Sequence, residues 1–163
     1  MTLRTFAYLL ITQLALCCTV RPLQLSDFRE LDIKDGWNRS VELSLDMEDT
    51  VNTGMIEICM QIRNSESLNN IDHIHVIVGI VSPQGIQYRE SIALPVTVTT
   101  ASSAITFTNG IRNYRWPYRR GIENRIAGRW IFTLTPALPD SAPYGEIYKE
   151  IIGVGISCKK DNL

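Results

Sequence analysis

A two-residue hydrophobic alternation is the sequence feature that most constrains the fold. In the segment 41–47 every odd-numbered residue is apolar, and Glu42, Ser44 and Asp46 lie between them. The segment 56–63 repeats the alternation, with apolar residues at the even positions. Because successive side chains of a strand point to opposite faces of a sheet, both segments are predicted to be half-buried β-strands.

The rest of the chain carries more strand signals and few helical ones. The run 74–81 is almost continuously apolar, which predicts a central strand, and Ser82-Pro83-Gln84-Gly85 predicts a turn. A single helical turn is expected near 146–150. The remaining strands are predicted at 86–94, 104–108, 129–135 and 151–158. Seven or eight strands with turns between them predict an all-β fold, an antiparallel β-sandwich of immunoglobulin-like or jelly-roll-like type.

Composition limits the class of protein further. The chain has 163 residues, of which 45% are hydrophobic, and its formal net charge is −1. That length suits one domain with a real core. The apolar content excludes an intrinsically disordered chain. The absence of a basic excess argues against a nucleic-acid partner.

The amino terminus has the pattern of an export signal. Arg4 precedes the apolar stretch 6–16, which is too short to span a bilayer. Cys17 and Cys18 follow this stretch directly, as in bacterial lipoprotein signals, and Cys18 has the smaller residue before it. We therefore predict lipidation of Cys18, or of Cys17, with plain secretion as the alternative. The predicted organisation is a signal peptide at 1–17, an irregular tether at 18–35 and one β-sandwich domain at 36–163.

The chemistry-bearing residues do not form a catalytic pattern. His73 and His75 share one strand face, but no third metal ligand lies at a suitable spacing, so we expect no metal site. No Gly-x-Ser-x-Gly motif and no glycine-rich phosphate loop is present. Cys59 and Cys158 are predicted to lie on opposite strand faces, which predicts two free thiols rather than a disulfide. We therefore predict that the protein is not an enzyme and uses no cofactor.

The segment 111–130 is the strongest local anomaly of the chain. It holds six of the twelve arginines with one acidic residue, whereas the segment 27–49 holds eight acidic and three basic residues. Arginine beside tyrosine and tryptophan is typical of protein-binding hot spots and of sugar-binding surfaces. The alternative is that these arginines cover the core and pair with the segment 27–49. Pro117 predicts a sheet edge or a loop here. The candidate interaction residues are Arg115, Trp116, Tyr118, Arg119 and Arg120.

Short motifs spread over roughly residues 37–158 carry a family resemblance. They are Gly36-Trp37, Asp49-Thr50, Arg63-Asn64, Pro83-x-Gly85, Gly128-x-Trp130-x-Phe132-x-Leu134 and Ile151-Ile152-Gly153-Val154-Gly155-Ile156. With the lipoprotein-type signal, they resemble the gliding-motility-associated lipoproteins of the GldH family of Bacteroidetes. The resemblance implies an outer-membrane lipoprotein without known catalytic residues, accessory to gliding and its secretion machinery. It also makes O-linked glycans at Asp-(Ser/Thr)-apolar sites relevant, with Thr50 and Ser141 as candidates.

The sequence therefore predicts a non-enzymatic protein that is anchored in the membrane by lipid and binds an envelope protein. The alternative is a surface glycan-binding lipoprotein that stacks sugars on Tyr114, Trp116 and Tyr118. The two hypotheses differ in a structural expectation. A flat, exposed aromatic row favours a glycan, whereas buried aromatic side chains beneath a charged rim favour contact with a protein.

Overall fold

The computed structural model describes residues 25–32, 34–48, 53–97, 104–123, 126–137 and 144–160. These residues form nine strands and two short helices. In chain order they are β1 (Leu25–Glu30), β2 (Val41–Met47), β3 (Thr53–Arg63), α1 (Glu66–Asn69), β4 (His73–Val81), β5 (Gln87–Pro95), β6 (Ala104–Thr108), β7 (Ile111–Glu123), β8 (Gly128–Pro136), α2 (Tyr144–Glu150) and β9 (Ile151–Lys160). Within the described part of the chain, neither helix has the length and apolar character needed to cross a bilayer.

The strands form two antiparallel sheets, which confirms the predicted all-β sandwich. One sheet has the order β1-β9-β3-β7-β6, and the other has the order β2-β8-β4-β5. The pairs are nested along the chain, because β1 pairs with β9, β2 with β8, β3 with β7 and β4 with β5. Such nesting, divided between two facing sheets, is the arrangement of a jelly roll, with β6 added at one edge.

The predicted alternation decides which side chains enter the core. Val41, Leu43, Leu45 and Met47 of β2 are all buried, and the even-numbered apolar residues of β3 face them from the other sheet. Burial of one such side chain contributes about 1.5–3 kcal/mol. The predicted turn is also confirmed, since Gly85 has φ +82° and its N–H donates to the Ser82 carbonyl at 2.9 Å.

The prediction of an irregular tether at 18–35 is wrong for residues 25–30. These residues are strand β1, which pairs along its whole length with β9. The Phe28 ring lies against Gly153 and Gly155, where a side chain would leave no room for it. Asp27 accepts a hydrogen bond from the Ser44 N–H of β2 at 2.8 Å, so β1 also joins the two sheets on this side. The strand was missed because half of its residues are charged, as is common for an edge strand.

Residues 111–123 of the arginine-rich segment form strand β7, so of the two predicted alternatives, a sheet edge or a loop, the loop does not apply to them. Residues 111–115 lie between β3 and β6, while among the described residues the part from Trp116 onward is paired with β3 alone. The prediction of a sheet edge therefore holds for this second half. Here six residues of β7, 117–122, lie opposite four residues of β3, 54–57, so the pairing is bulged. Pro117 cannot donate a ladder hydrogen bond, and bulges are where sheets accept proline.

Candidate functional site: an apolar cleft with a charged mouth

The aromatic side chains of β7 point into the sandwich. Tyr114 and Trp116 are buried, and their rings stack with centroids 4.9 Å apart. The Tyr114 hydroxyl donates to the Val96 carbonyl at 3.3 Å, and the Trp116 indole N–H donates to the Pro95 carbonyl at 2.7 Å. Both bonds connect β7 to the end of β5 in the opposite sheet. They give the buried hydroxyl and indole N–H the hydrogen-bond partners that burial would otherwise deny them. The prediction of Trp116 as a surface contact is therefore wrong, and two of the three rings of the predicted sugar platform, Tyr114 and Trp116, are not on the surface.

The bulge in β7 places two consecutive side chains at the same opening. Ile56 of β3 pairs with Arg119, and the next residue, Glu57, pairs with Pro117, so Tyr118 is left without a partner in the register. Tyr118 and Arg119 both line the cleft described below. In a regular strand they would point to opposite faces, and bulges commonly redirect side chains in this way.

The carboxylate of Glu90 on β5 accepts hydrogen bonds from both Tyr118 and Arg119. The Tyr118 hydroxyl and the Arg119 guanidinium donate to the same Glu90 oxygen, Oε1. The Arg119 guanidinium carbon also lies 4.8 Å from the centroid of the Tyr118 ring. Burial first, and then the hydrogen bond to Glu90, raise the pKa of Tyr118 above its ordinary value, so the phenol stays protonated and remains a donor. The three residues form a polar bridge between the two sheets.

Beneath this bridge lies an apolar cleft of about 430 Å³. Tyr88 stands at its mouth with 59% of its surface exposed. The cleft walls come from core strands of both sheets. Its apolar lining consists of Met47, Ile56, Val78, Ile80, Trp130 and Phe132.

The sequence analysis did not find this cleft, although a signal for it exists. Tyr88, Glu90, Ile92 and Leu94 alternate along β5 and lie on its inner face, opposite inner-face residues of β4. An acidic residue in the middle of such a face needs a buried or half-buried partner. Glu90 therefore indicates that the inner face of β5 includes a polar contact in addition to apolar core residues.

The other predicted interaction residues lie elsewhere on β7. Arg115 is on the outer face of the five-stranded sheet, with its guanidinium 3.8 Å from the buried carboxylate of Glu57. Glu57 also accepts from Lys159 at 2.7 Å and from Ser157 at 3.3 Å, so its charge is well compensated. Arg120 is exposed. The five candidates thus divide between the outer face, the core and the cleft mouth, and they do not form one surface.

The predicted pairing of the arginines with the acidic segment 27–49 holds for Arg129, one of the five arginines of the segment 111–130 that the structure describes. Among the described residues, Arg129 pairs with Asp46 of that segment at 3.1 Å. Arg115 and Arg119 instead pair with Glu57 and Glu90, which lie outside it. The explanation is topological, because β7 contacts β3 and faces β5, whereas the strand that neighbours β2 is β8.

The cysteines and histidines occupy the predicted faces. Cys59 and Cys158 are free thiols, and Cys158 packs against the core while Cys59 lies on the outer face beside Ser157. Burial raises the pKa of both thiols, which lowers their thiolate content at neutral pH. His73 and His75 are exposed on β4. Within the described ranges, no group of three metal-ligating side chains is brought together.

Four predicted modification sites, Cys17, Cys18, Thr50 and Ser141, lie outside the described residues. Comparison with known proteins adds no assignment, because no family model, no curated protein and no solved structure matches the chain. The family resemblance of the short motifs stays a prediction.

Proposed function

We propose that this protein is a lipid-anchored, non-enzymatic protein of the cell envelope that binds a protein partner along the second half of β7. The inward direction of the β7 aromatic residues carries this proposal. Tyr114 and Trp116 are buried, while Arg119 and Arg120 stay exposed at the same strand. Buried aromatic rings beneath a charged rim are the arrangement expected for protein contact rather than for stacking on a sugar.

The chemistry of this strand half suits an acidic partner surface. Among the described residues, the pairing of β7 beyond Arg115 is with β3, and Arg119 and Arg120 are exposed there. The Arg119 side chain is 53% exposed, so its ion pair with Glu90 is worth at most about 1 kcal/mol. A partner carboxylate can therefore compete for this guanidinium, and arginine binds carboxylates in a bidentate manner.

The resemblance to gliding-motility lipoproteins supports the cellular part of the proposal. It suggests that the partner belongs to the gliding or secretion apparatus of the outer membrane. The glycan-binding alternative has less support, because two of the three rings proposed as its platform are in the core.

Charge reversal at β7 tests the proposal. The intact lipoprotein is cross-linked in its native membrane and purified as wild type, as Arg120→Glu and as Arg119→Glu with Arg120→Glu. The matched control is Lys34→Glu with Arg39→Glu, which makes the same charge change at two exposed residues before β2. We expect both β7 variants, and not the control, to lose a stoichiometric cross-linked envelope protein. The melting temperature of Arg120→Glu should change little, since surface substitutions usually alter stability by about 0.5 kcal/mol or less. Arg119→Glu places a second carboxylate beside Glu90, so the double variant should melt at a lower temperature and Arg120→Glu separates binding from stability. Undiminished cross-linking of the double β7 variant would contradict the proposal.

A further inference from the structure

The cleft between the sheets is too large to be a packing imperfection. Its volume of about 430 Å³ equals that of roughly 14 liquid water molecules at ~30 Å³ each. The cleft opens to solvent at Tyr88, and its apolar walls offer water few hydrogen-bond partners. The volume also falls within the range of roughly 300–1,000 Å³ that is typical of ligand pockets. An apolar ligand is the occupant that such walls suit best.

We propose that the cleft binds a single-chain amphiphile with an anionic head group, its alkyl chain inside the cleft and its head at Arg119. Ile80 and Trp130, which line the cleft and are only partly buried, provide the apolar contacts for the chain. If one methylene takes roughly the volume of a water molecule, the cleft accommodates a chain of about a dozen carbons. No amphiphile of this kind is needed for the protein contact proposed above, so the site is an additional one.

The charges at the mouth decide the sign of the head group. Arg119 is the cation that points into the opening, beside Glu90. Arg89 lies between the inward-facing Tyr88 and Glu90 of β5, so its side chain points to the outer face of that sheet. Oxygen Oε1 of Glu90 already accepts from Tyr118 and Arg119. The guanidinium of Arg119 has five N–H donors, which leaves donors for a carboxylate or phosphate head after the contact with Glu90.

The place where the described chain begins indicates the source of the amphiphile. In the five-stranded sheet, Leu25 of β1, Cys158, Ile56 and Arg119 form one continuous row of paired residues. Three strand spacings of about 4.8 Å separate the first of them from Arg119, a distance of roughly 15 Å. The chain thus enters the domain at the end of the sandwich that holds the mouth. If Cys18 is lipidated, as in the proposed function on which this step alone depends, the mouth is held near the bilayer, and membrane lipid is the source.

Binding in solution tests the inference without reference to the anchor. The purified full-length protein is titrated with dodecanoate, with dodecylamine and with dodecanol, each below its micelle concentration. Trp130 lines the cleft, whereas Trp37 and Trp116 are buried outside its lining, so Trp130 emission reports occupancy. We expect saturable 1:1 binding of dodecanoate and about tenfold weaker binding of the amine and the alcohol. Trp130→Phe should remove the emission change while calorimetry still detects binding.

Substitutions locate the head and the chain separately. Arg119→Gln should weaken dodecanoate binding about tenfold, and Glu90→Gln should strengthen it because Arg119 loses its acidic partner. Ile80→Phe takes up cleft volume and should lower affinity about tenfold, the equivalent of roughly two methylenes. Arg120→Gln is the matched control and should change the affinity by less than about twofold.

Three results would overturn the inference. They are the absence of saturable dodecanoate binding, equal affinity for dodecylamine, and unchanged affinity in both Arg119→Gln and Ile80→Phe. Arg119 belongs to both proposals, whereas Arg120 belongs to the proposed protein contact and does not line the cleft. Cross-linking of Arg120→Glu and dodecanoate binding by Arg120→Gln therefore let either proposal fail without the other.

Discussion

At the scale of single residues, the aromatic side chains of β7 act as connections between the two sheets. Tyr114, Trp116 and Tyr118 each donate a hydrogen bond to β5 or to the residue that follows it. Tyrosine and tryptophan suit this role because they combine a large apolar ring with a polar tip. Their alternation with Arg115 and Pro117 is visible in the sequence, and it indicates a strand as well as a binding surface. The sequence therefore predicted the residues of interest and not the direction in which they point.

Replacement of Trp116 measures its contribution to the core. Trp116→Ala should lower the free energy of unfolding by about 3–5 kcal/mol, because it leaves a cavity beside Tyr114 and an unpaired carbonyl at Pro95. Trp116→Phe keeps a ring and loses the indole N–H, so it should cost less, about 1–3 kcal/mol. Urea denaturation of the three proteins gives the comparison. A loss below 1 kcal/mol in Trp116→Ala would mean that this side chain is exposed in solution.

At the scale of elements, the predictions succeeded where one face of a strand is apolar and the other polar. Strand β2 spans the predicted residues 41–47, and β6 spans the predicted 104–108. Strand β1 was missed because an edge strand buries little. Strand β7 was missed because its charges and Pro117 suggest a surface loop. The cleft was not predicted, although Glu90 on the inner face of β5 marks its place. Its form depends on a bulge in β7 and on the register between β7 and β3, and neither has a sequence signature by itself.

Two glycines test whether β1 belongs to the folded domain. A Cβ at Gly155 would lie 2.4 Å from Phe28 Cδ2 and 2.9 Å from the Asp27 carbonyl, so Gly155→Ala must displace β1. It should destabilise the protein by about 1–3 kcal/mol. Gly79→Ala is the matched control in a central strand, where the nearest atom, Thr133 Cβ, is 3.5 Å away, and it should be neutral or stabilising by up to about 1 kcal/mol. Equal unfolding free energies for the two variants would show that β1 does not pack on β9 in solution.

At the scale of the whole molecule, the two open sides of the sandwich differ. On one side, Asp27 bonds the backbone of β2 and joins β1 to the opposite sheet. On the other side, β5 and β7 are joined by side chains, and the cleft opens there beneath Glu90, Tyr118 and Arg119. A jelly roll that is closed along one side can separate its sheets slightly along the other. This asymmetry explains why both the exposed arginines and the cleft mouth occur at the second half of β7.

The proposed anchor adds a geometric constraint to this asymmetry. Six residues, 19–24, separate Cys18 from the first residue of β1, so an extended chain spans at most roughly 25 Å between them. A lipid on Cys18 would therefore keep the cleft end of the domain close to the bilayer.

Cys18→Ser should move the protein from the membrane fraction to the soluble fraction, because the acyl chains supply the apolar anchor. Cys17→Ser is the matched control and should stay in the membrane fraction, as shown by fractionation and immunoblotting. Release by Cys17→Ser alone would assign the lipid to Cys17, and release by neither variant would contradict the lipoprotein proposal. In that case the dodecanoate titration would still test the amphiphile site, since binding in solution requires the cleft and not the anchor.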